Sequence, residues 1–155
     1  MAKLTVKKLR DVYQTGEQME RLVKTYHRDV KDLDGWNIFK AFRYVANIPY
    51  IRDPKNIELL HRPKFVRSQK ARFRDCDDKM ILFGAWLYRQ GIPFKFLAVS
   101  HKKDGSLHHV LIQAKFRNGK KKILDPTYPK NKIFQHKPIT GRKDITGWIT
   151  NRQGV

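Results

Sequence analysis

The sequence predicts an α+β domain in which helices precede an antiparallel sheet. Three observations lead there. Apolar residues recur at helical spacing as far as Gly91, short alternating β-type runs follow it, and the turns between those runs are tight enough for a meander. At 155 residues the chain can bury one core but not two ordinary ones, so a single domain over 1–155 is expected.

Taken in order, residues 16–31 carry Met19, Leu22, Val23, Tyr26 and Val30 at helical spacing with mostly charged residues between them, the pattern of an amphipathic helix. A second helix is expected after Asp34 as N-cap, with Trp36, Phe39, Ala41, Phe42 and Val45 as its apolar members and Pro49 as its stop. Residues 48–51 are short, β-branched and aromatic, and run into the turn Arg52-Asp53-Pro54. Residues 62–74 hold six Lys or Arg and no acid, broken by Pro63, which reads as an irregular segment or a short helix. From Asp75 the helical signal is the strongest in the chain. Cys76, Met80, Phe83, Gly84 and Leu87 share a face, and Gly91-Ile92-Pro93 ends it.

The β half begins at residues 94–99, apolar and aromatic. Lys103-Asp104-Gly105-Ser106 makes a turn, residues 109–116 a second strand, Asn118-Gly119 another turn, and residues 121–125 a third strand closed by Pro126. Beyond Pro129 the chain is basic with scattered apolar residues, and residues 130–155 are expected to wrap over the domain without strong secondary structure.

Thirty-four Lys and Arg against 14 Asp and Glu give a formal charge of +20, enough to attract a polyanion by electrostatics alone. Arg62, Lys64, Arg67, Lys70, Arg72 and Arg74 are the densest cluster and the candidate substrate- or polyanion-binding set; 115–122 and 130–143 are further basic stretches. No recognition motif accompanies them, so such binding would be to phosphates and weakly selective. The first residues lack an apolar signal-peptide core and no apolar run approaches a bilayer's width, which predicts a cytoplasmic protein without a membrane partner. The histidines at 27, 61, 101, 108, 109 and 136 show no paired ligand spacing on a helix, and no glycine-rich phosphate loop is present, so neither a metal nor a cofactor is expected.

A single cysteine, Cys76, excludes an intramolecular disulfide and a cysteine-based zinc knuckle. It stands where a helix begins, with Asp75 as N-cap and Asp77 and Asp78 in the first turn. A helix start and a nearby imidazole lower a thiol's pKa, whereas those carboxylates oppose it, so a histidine from elsewhere in the fold is required. His108 and His109 open one strand and Asp125 ends the next, so the hairpin between them can bring an imidazole and a carboxylate together. Side-chain parity decides which histidine. A three-residue loop over 117–119 with a glycine bulge puts His109 beside Asp125, and a two-residue Asn118-Gly119 loop puts His108 there.

Four segments in order are similar to the core of the transglutaminase-like superfamily: Asp75-Cys76-Asp77-Asp78-Lys79-Met80-Ile81-Leu82, Gly91-Ile92-Pro93, His109-Val110-Leu111-Ile112-Gln113 and Leu124-Asp125-Pro126-Thr127. Residues 39–53 resemble that family's helix and Tyr-x-x-Asp lead-in, and the likeness covers 36–129. It implies a papain-like fold with Cys76 as nucleophile, His109 as general base and acid, and Asp125 orienting the histidine. His109 takes the role because Gln113 stands four residues on, where the family has an acid or amide; His108 remains the alternative base. The implied chemistry is acyl transfer on protein or peptide amides through a thioester, by a transferase or a protease. The Cys76 amide, and Gln69 as a candidate second donor, would hold the oxyanion. The small members most like this chain are phage or prophage products, which adds phage structural proteins as partners and a virion as a location. Arg74 departs from the glycine usual before the Asp-Cys pair. Its cation is expected near the thiol, where it would lower the pKa, bind an acidic substrate group or obstruct the cleft. The alternative function is a structural or nucleic-acid-associated protein that keeps the fold without catalysis.

Overall fold

A computed structural model describes residues 4–6 as backbone, and residues 12–53, 59–68 and 74–151 in full. Its helices are α1 (Val12–Tyr26), α2 (Ile38–Asn47), α3 (Pro63–Arg67) and α4 (Cys76–Arg89), with a 3-10 segment (His27–Leu33) after α1. Strands β1 (Leu4–Val6) and β2 (Leu59–His61) form an antiparallel pair. β3 (Phe94–Ser100), β4 (His109–Lys115), β5 (Lys121–Leu124) and β6 (Gly141–Asp144) form an antiparallel sheet in the order β5-β4-β3-β6. The α+β class is as expected.

α4 is the centre of the molecule. Every residue from Asp77 to Leu87 is buried, so this helix has no solvent stripe and is covered by α1, α2, α3 and the sheet. Phe94, Phe96, Ala98, Val110, Ile112 and Ala114 point from the sheet towards it, while Leu97, Val99 and Leu111 form a smaller cluster on the opposite face with Ile123 and Ile139. Gly84 lets the sheet approach: a Cβ there would meet the Phe94 ring at 3.0 Å and that of Phe96 at 3.2 Å.

Several expectations change. The N-cap of α2 is Asn37, whose side chain accepts the Lys40 N–H at 2.8 Å; Asp34 instead ends the 3-10 segment and grips Arg89 through both oxygens at 2.8 and 2.6 Å. Gly35, at φ +89°, separates the two elements and moves the cap forward. Phe39 is 57% exposed rather than core, resting edge-on against Phe134. Residues 48–51 provide only the bridge from Ile51 to Arg74. The C-terminal stretch does contain a strand: β6 pairs with β3 from Leu97 opposite Asp144 to Ser100 opposite Gly141. Its sequence, Gly-Arg-Lys-Asp, has no apolar alternation: backbone hydrogen bonds hold it to the sheet edge, helped by Asp144 accepting from Lys95 at 2.7 Å and Arg142 donating to Gln113 at 3.2 Å. Ile145 and Ile149 behind it are buried, and Ile149 exchanges two backbone hydrogen bonds with Phe94.

One buried charge ties these parts together. Lys79, fully buried on α4, donates to the Ala46 and Ile48 carbonyls at 3.0 and 2.7 Å and also to the Thr127 carbonyl. A single ammonium thus joins the end of α2, the first turn of α4 and the chain just past β5. Burial lowers its pKa to about 8, opposed by Asp125. Among the described residues no helix is long and apolar enough to cross a membrane.

Lys79→Met leaves three buried carbonyls without their donor, and the expected loss is about 3 kcal/mol, or about 10 °C in Tm. The folded-state pKa of about 8 lies below the reference 10.5, so between those values the folded protein gives up the proton first and wild-type stability rises with pH relative to Lys79→Met. Thermal melts of both proteins from pH 7 to 10.5 measure this; a pH-independent difference between them contradicts it.

Candidate active site

The start of α4 is organised by its capping aspartate. Asp75 caps the helix, its Oδ1 accepting from the N–H groups of Asp77 and Asp78 at 3.1 and 3.3 Å, and the Lys79 N–H returns to the Asp75 carbonyl at 3.1 Å. Of the first-turn donors, that leaves the Cys76 N–H outside the cap made by Asp75. Asp78 is fixed differently. Fully buried, it accepts from both the backbone N–H and Nδ1 of His61 at 2.8 Å, which locks β2 to the same turn.

The facing residues come from the hairpin of β4 and β5. Phe116 N donates to the Lys120 carbonyl at 2.9 Å, Gly119 N donates to the Phe116 carbonyl at 2.8 Å, and Gly119 has φ +80°. The loop is therefore the three-residue form with its glycine in the left-handed region. The register from Ile112 opposite Leu124 to Lys115 opposite Lys121 then carries His109 and Asp125 to one face. His109 Nε2 lies 2.9 Å from Asp125 Oδ2. The Thr127 hydroxyl donates to the other Asp125 oxygen at 2.5 Å, and Asn131 Nδ2 donates to the Asp125 carbonyl at 2.8 Å. Burial pushes the Asp125 carboxyl up, but hydrogen bonds from His109 and Thr127 hold it below its usual value, so it is ionised. An ionised acceptor makes Nε2 the protonated nitrogen and leaves the His109 Nδ1 lone pair free. His108 is exposed, and its Nε2 accepts the His101 N–H at 3.0 Å.

Cys76 and His109 line two adjoining clefts, of about 250 and 170 Å³, with Tyr50 in both walls; Asp77 and Val110 help line the first, Asp125 and Asn131 the second. Burial raises the Tyr50 phenol to about 12, so it is a neutral donor at this wall. The carboxylates expected to oppose a thiolate do so, and burial adds to them. Burial, then Asp77 and Asp75, push Cys76 well above 9.0, and the amide of Val110 only partly offsets them. The sulfur donates to Asp77 Oδ1 at 3.6 Å. Asp75 is itself pushed up to about 9 by burial together with Asp78 and Asp53. A proton on Asp75 gives Asp53 Oδ1, buried and otherwise unpartnered among the described residues, its donor.

The basic cluster before the cysteine is largely structural. Arg62 forms a pair of hydrogen bonds to Asp29 at 2.8 and 2.6 Å, and Arg67 forms another to Asp32 at 2.7 Å while also donating to Tyr44. Arg74 is 7% exposed, bridges Ile51 through its backbone and donates to the Ser68 carbonyl at 3.3 Å. Its cation perturbs His61 and Lys79 rather than the thiol. These three arginines are thus corrected from a binding surface to internal ties. Lys64 is exposed, and Gln69, Lys70 and Arg72 lie outside the described residues.

Compared with family models, with characterised proteins and with solved structures, the chain matches none. Its site must therefore be read from its own geometry. Sequence spacing missed Lys79, Thr127, Tyr50 and His101, although Thr127, two residues after Asp125, offers the short-range spacing at which a hydroxyl reaches back to a carboxylate. It also missed two groups whose ligand atoms lie within 4.8 Å of one another: His101, His109 and Asp125, and Asp53, Asp75 and Asp78.

A thiol with a pKa above 9.0 should alkylate with iodoacetamide at a rate that climbs about tenfold per pH unit through pH 8. Asp77→Asn, which removes a neighbouring negative charge, is expected to raise the rate at pH 7.5 several-fold. A rate already on its plateau at pH 7 would show an ion pair instead.

Proposed function

We propose that the chain is a transglutaminase-like cysteine enzyme of the papain-fold type, an acyltransferase or peptidase acting on protein or peptide amides. The observation that carries the reading is the His109–Asp125 pair at 2.9 Å, which lines one cleft together with Cys76 at the start of its helix. Because the thiol is neutral at rest, His109 works as a general base at the moment of attack.

In the first half-reaction Cys76 Sγ bonds to the amide carbon while its proton passes to His109 Nδ1. The carbonyl electrons move to oxygen, which the Cys76 N–H stabilises, with the Tyr50 hydroxyl a second donor at the same wall. The carbonyl re-forms as the C–N bond breaks, and His109 gives its proton to the departing nitrogen, leaving a thioester. In the second half-reaction an amine or water attacks the thioester and passes a proton to His109. The C–S bond then breaks and the thiol recovers that proton. Asp125 accepts from Nε2 throughout, holding the tautomer and stabilising the imidazolium.

Incubation with a glutamine-containing peptide and a fluorescent primary amine, with released ammonia and free acid measured together, separates transfer from hydrolysis. Cys76→Ala and His109→Ala are expected to abolish turnover, and Asp125→Asn to lower kcat/KM by on the order of 10²-fold or more. Undiminished turnover in Cys76→Ala would end the proposal.

A second reading, a nucleic-acid-associated protein, rests on the exposed Lys115, Lys120, Lys121 and Lys122 of the β4–β5 hairpin. Beside them is Trp148, 37% exposed, with the Lys95 and Lys121 ammonium groups 4.7 and 5.8 Å from its ring centre. Binding of a fluorescent single-stranded oligonucleotide should weaken by at least about tenfold between 50 and 200 mM salt, on the order expected for several phosphate contacts. No binding at 50 mM removes this reading.

A further inference from the structure

The proposed catalytic pair has a neighbour that the acyl-transfer steps do not use. His101, just past the end of β3, sits with its ring centre 5.7 Å from that of His109, and one ligating atom each from His101, His109 and Asp125 lies within 4.8 Å of the others. His101, His109, Asp125 and Cys76 all line the 170 Å³ cleft.

We propose that His101, His109 and Asp125 form a zinc-binding site that switches the triad off. Two imidazoles and a carboxylate are a ligand set suited to zinc, and the thiol in the same wall supplies a soft fourth donor that magnesium or calcium would not select. The outer contacts match those that metal ligands carry. His101 Nδ1 lies 2.9 Å from the Pro138 carbonyl, which can only accept, so Nδ1 holds the proton and Nε2 presents its lone pair. Asp125 Oδ1 is tied by the Thr127 hydroxyl at 2.5 Å, and Oδ2 is the oxygen facing His109. Zinc bonded at about 2.0–2.2 Å to each ligand needs donor separations of roughly 3.3 Å. The His109–Asp125 separation of 2.9 Å is already close, and a small movement of the His101 side chain completes the site.

Occupancy and catalysis exclude one another. A zinc ion seated between Asp125 Oδ2 and His109 Nε2 takes the place of the Nε2 proton, which moves through solvent to Nδ1; the carboxylate then no longer orients the imidazole, and no Nδ1 lone pair is left for the Cys76 proton. The inhibitory consequence rests on the acyl-transfer reading; the metal site does not, and the two are separated by the choice of measurements.

Binding is measured first, without reference to activity. Titration calorimetry with zinc, and the visible absorption of the cobalt(II)-substituted protein, are expected to show one site in the wild type. The affinity should fall by on the order of 10-fold or more in His101→Ala and in His101→Gln. Circular dichroism checks that both variants fold. The second measurement is the ratio of Cys76 alkylation rates with and without zinc, which should drop at least tenfold in the wild type and stay near one in the His101 variants. No calorimetric binding, equal affinity in wild type and both His101 variants, or zinc bound with no change in the wild-type alkylation ratio each overturn the proposal. Wild-type protein that binds zinc through His101 and shows the protection, yet turns over no amide substrate, supports the metal site while counting against the enzyme reading.

Discussion

The arrangement depends on one buried ammonium. Lys79 stands one turn after Cys76 and reaches carbonyls from α2 and from the chain just beyond β5, so the helix that carries the thiol and the segment that carries Asp125 and Thr127 share a single donor. Burying a lysine in a helix's first turn is unfavourable on two counts, desolvation and the positive end of the helix dipole. Its three carbonyls offset that cost, and their geometry leaves little freedom for the segments they belong to. The distance between the cysteine helix and the hairpin is thereby fixed from inside the core.

The same first turn holds three aspartates with three different tasks. Asp75 caps the helix and is close enough to Asp53 to share a proton, Asp78 is locked by His61, and Asp77 faces the sulfur. Burial, with Asp77 and then Asp75, keeps the thiol protonated. A neutral thiol resists adventitious oxidation and alkylation, and under the proposed reaction it needs its base only when a substrate carbonyl is present. In the proposed acyl transfer the imidazole would take a proton during attack and must be held in one tautomer; the carboxylate at 2.9 Å is placed to hold it.

Much of the fold was legible because α4, β3, β4 and β5 are specified by strong local signals: a capping aspartate, Gly91 and Pro93 as stops, and Gly119 in the turn. The choice between His109 and His108 reduced to loop length, and Gly119 settled it by adopting φ +80° in a three-residue loop. What escaped has a physical reason in each case. β6 is held by backbone bonds and carries no apolar alternation. The arginines at 62, 67 and 74 look like a basic surface until the fold supplies their partners: Asp29 and Asp32 from far upstream, and for Arg74, folded inward, the nearby Ser68 carbonyl. The thiol's raised pKa comes mainly from burial, which no local motif encodes. His101 joins His109 and Asp125 only through the pairing of three strands.

The central claim is that Cys76 accepts an acyl group with His109 as its base. Intact-mass spectrometry of the protein mixed rapidly with a glutamine peptide tests it most directly. The account predicts a transient adduct on Cys76 equal in mass to the peptide less ammonia, released by hydroxylamine and absent in His109→Ala. A wild-type protein that never acquires the adduct, or an adduct that forms equally in His109→Ala, would contradict it.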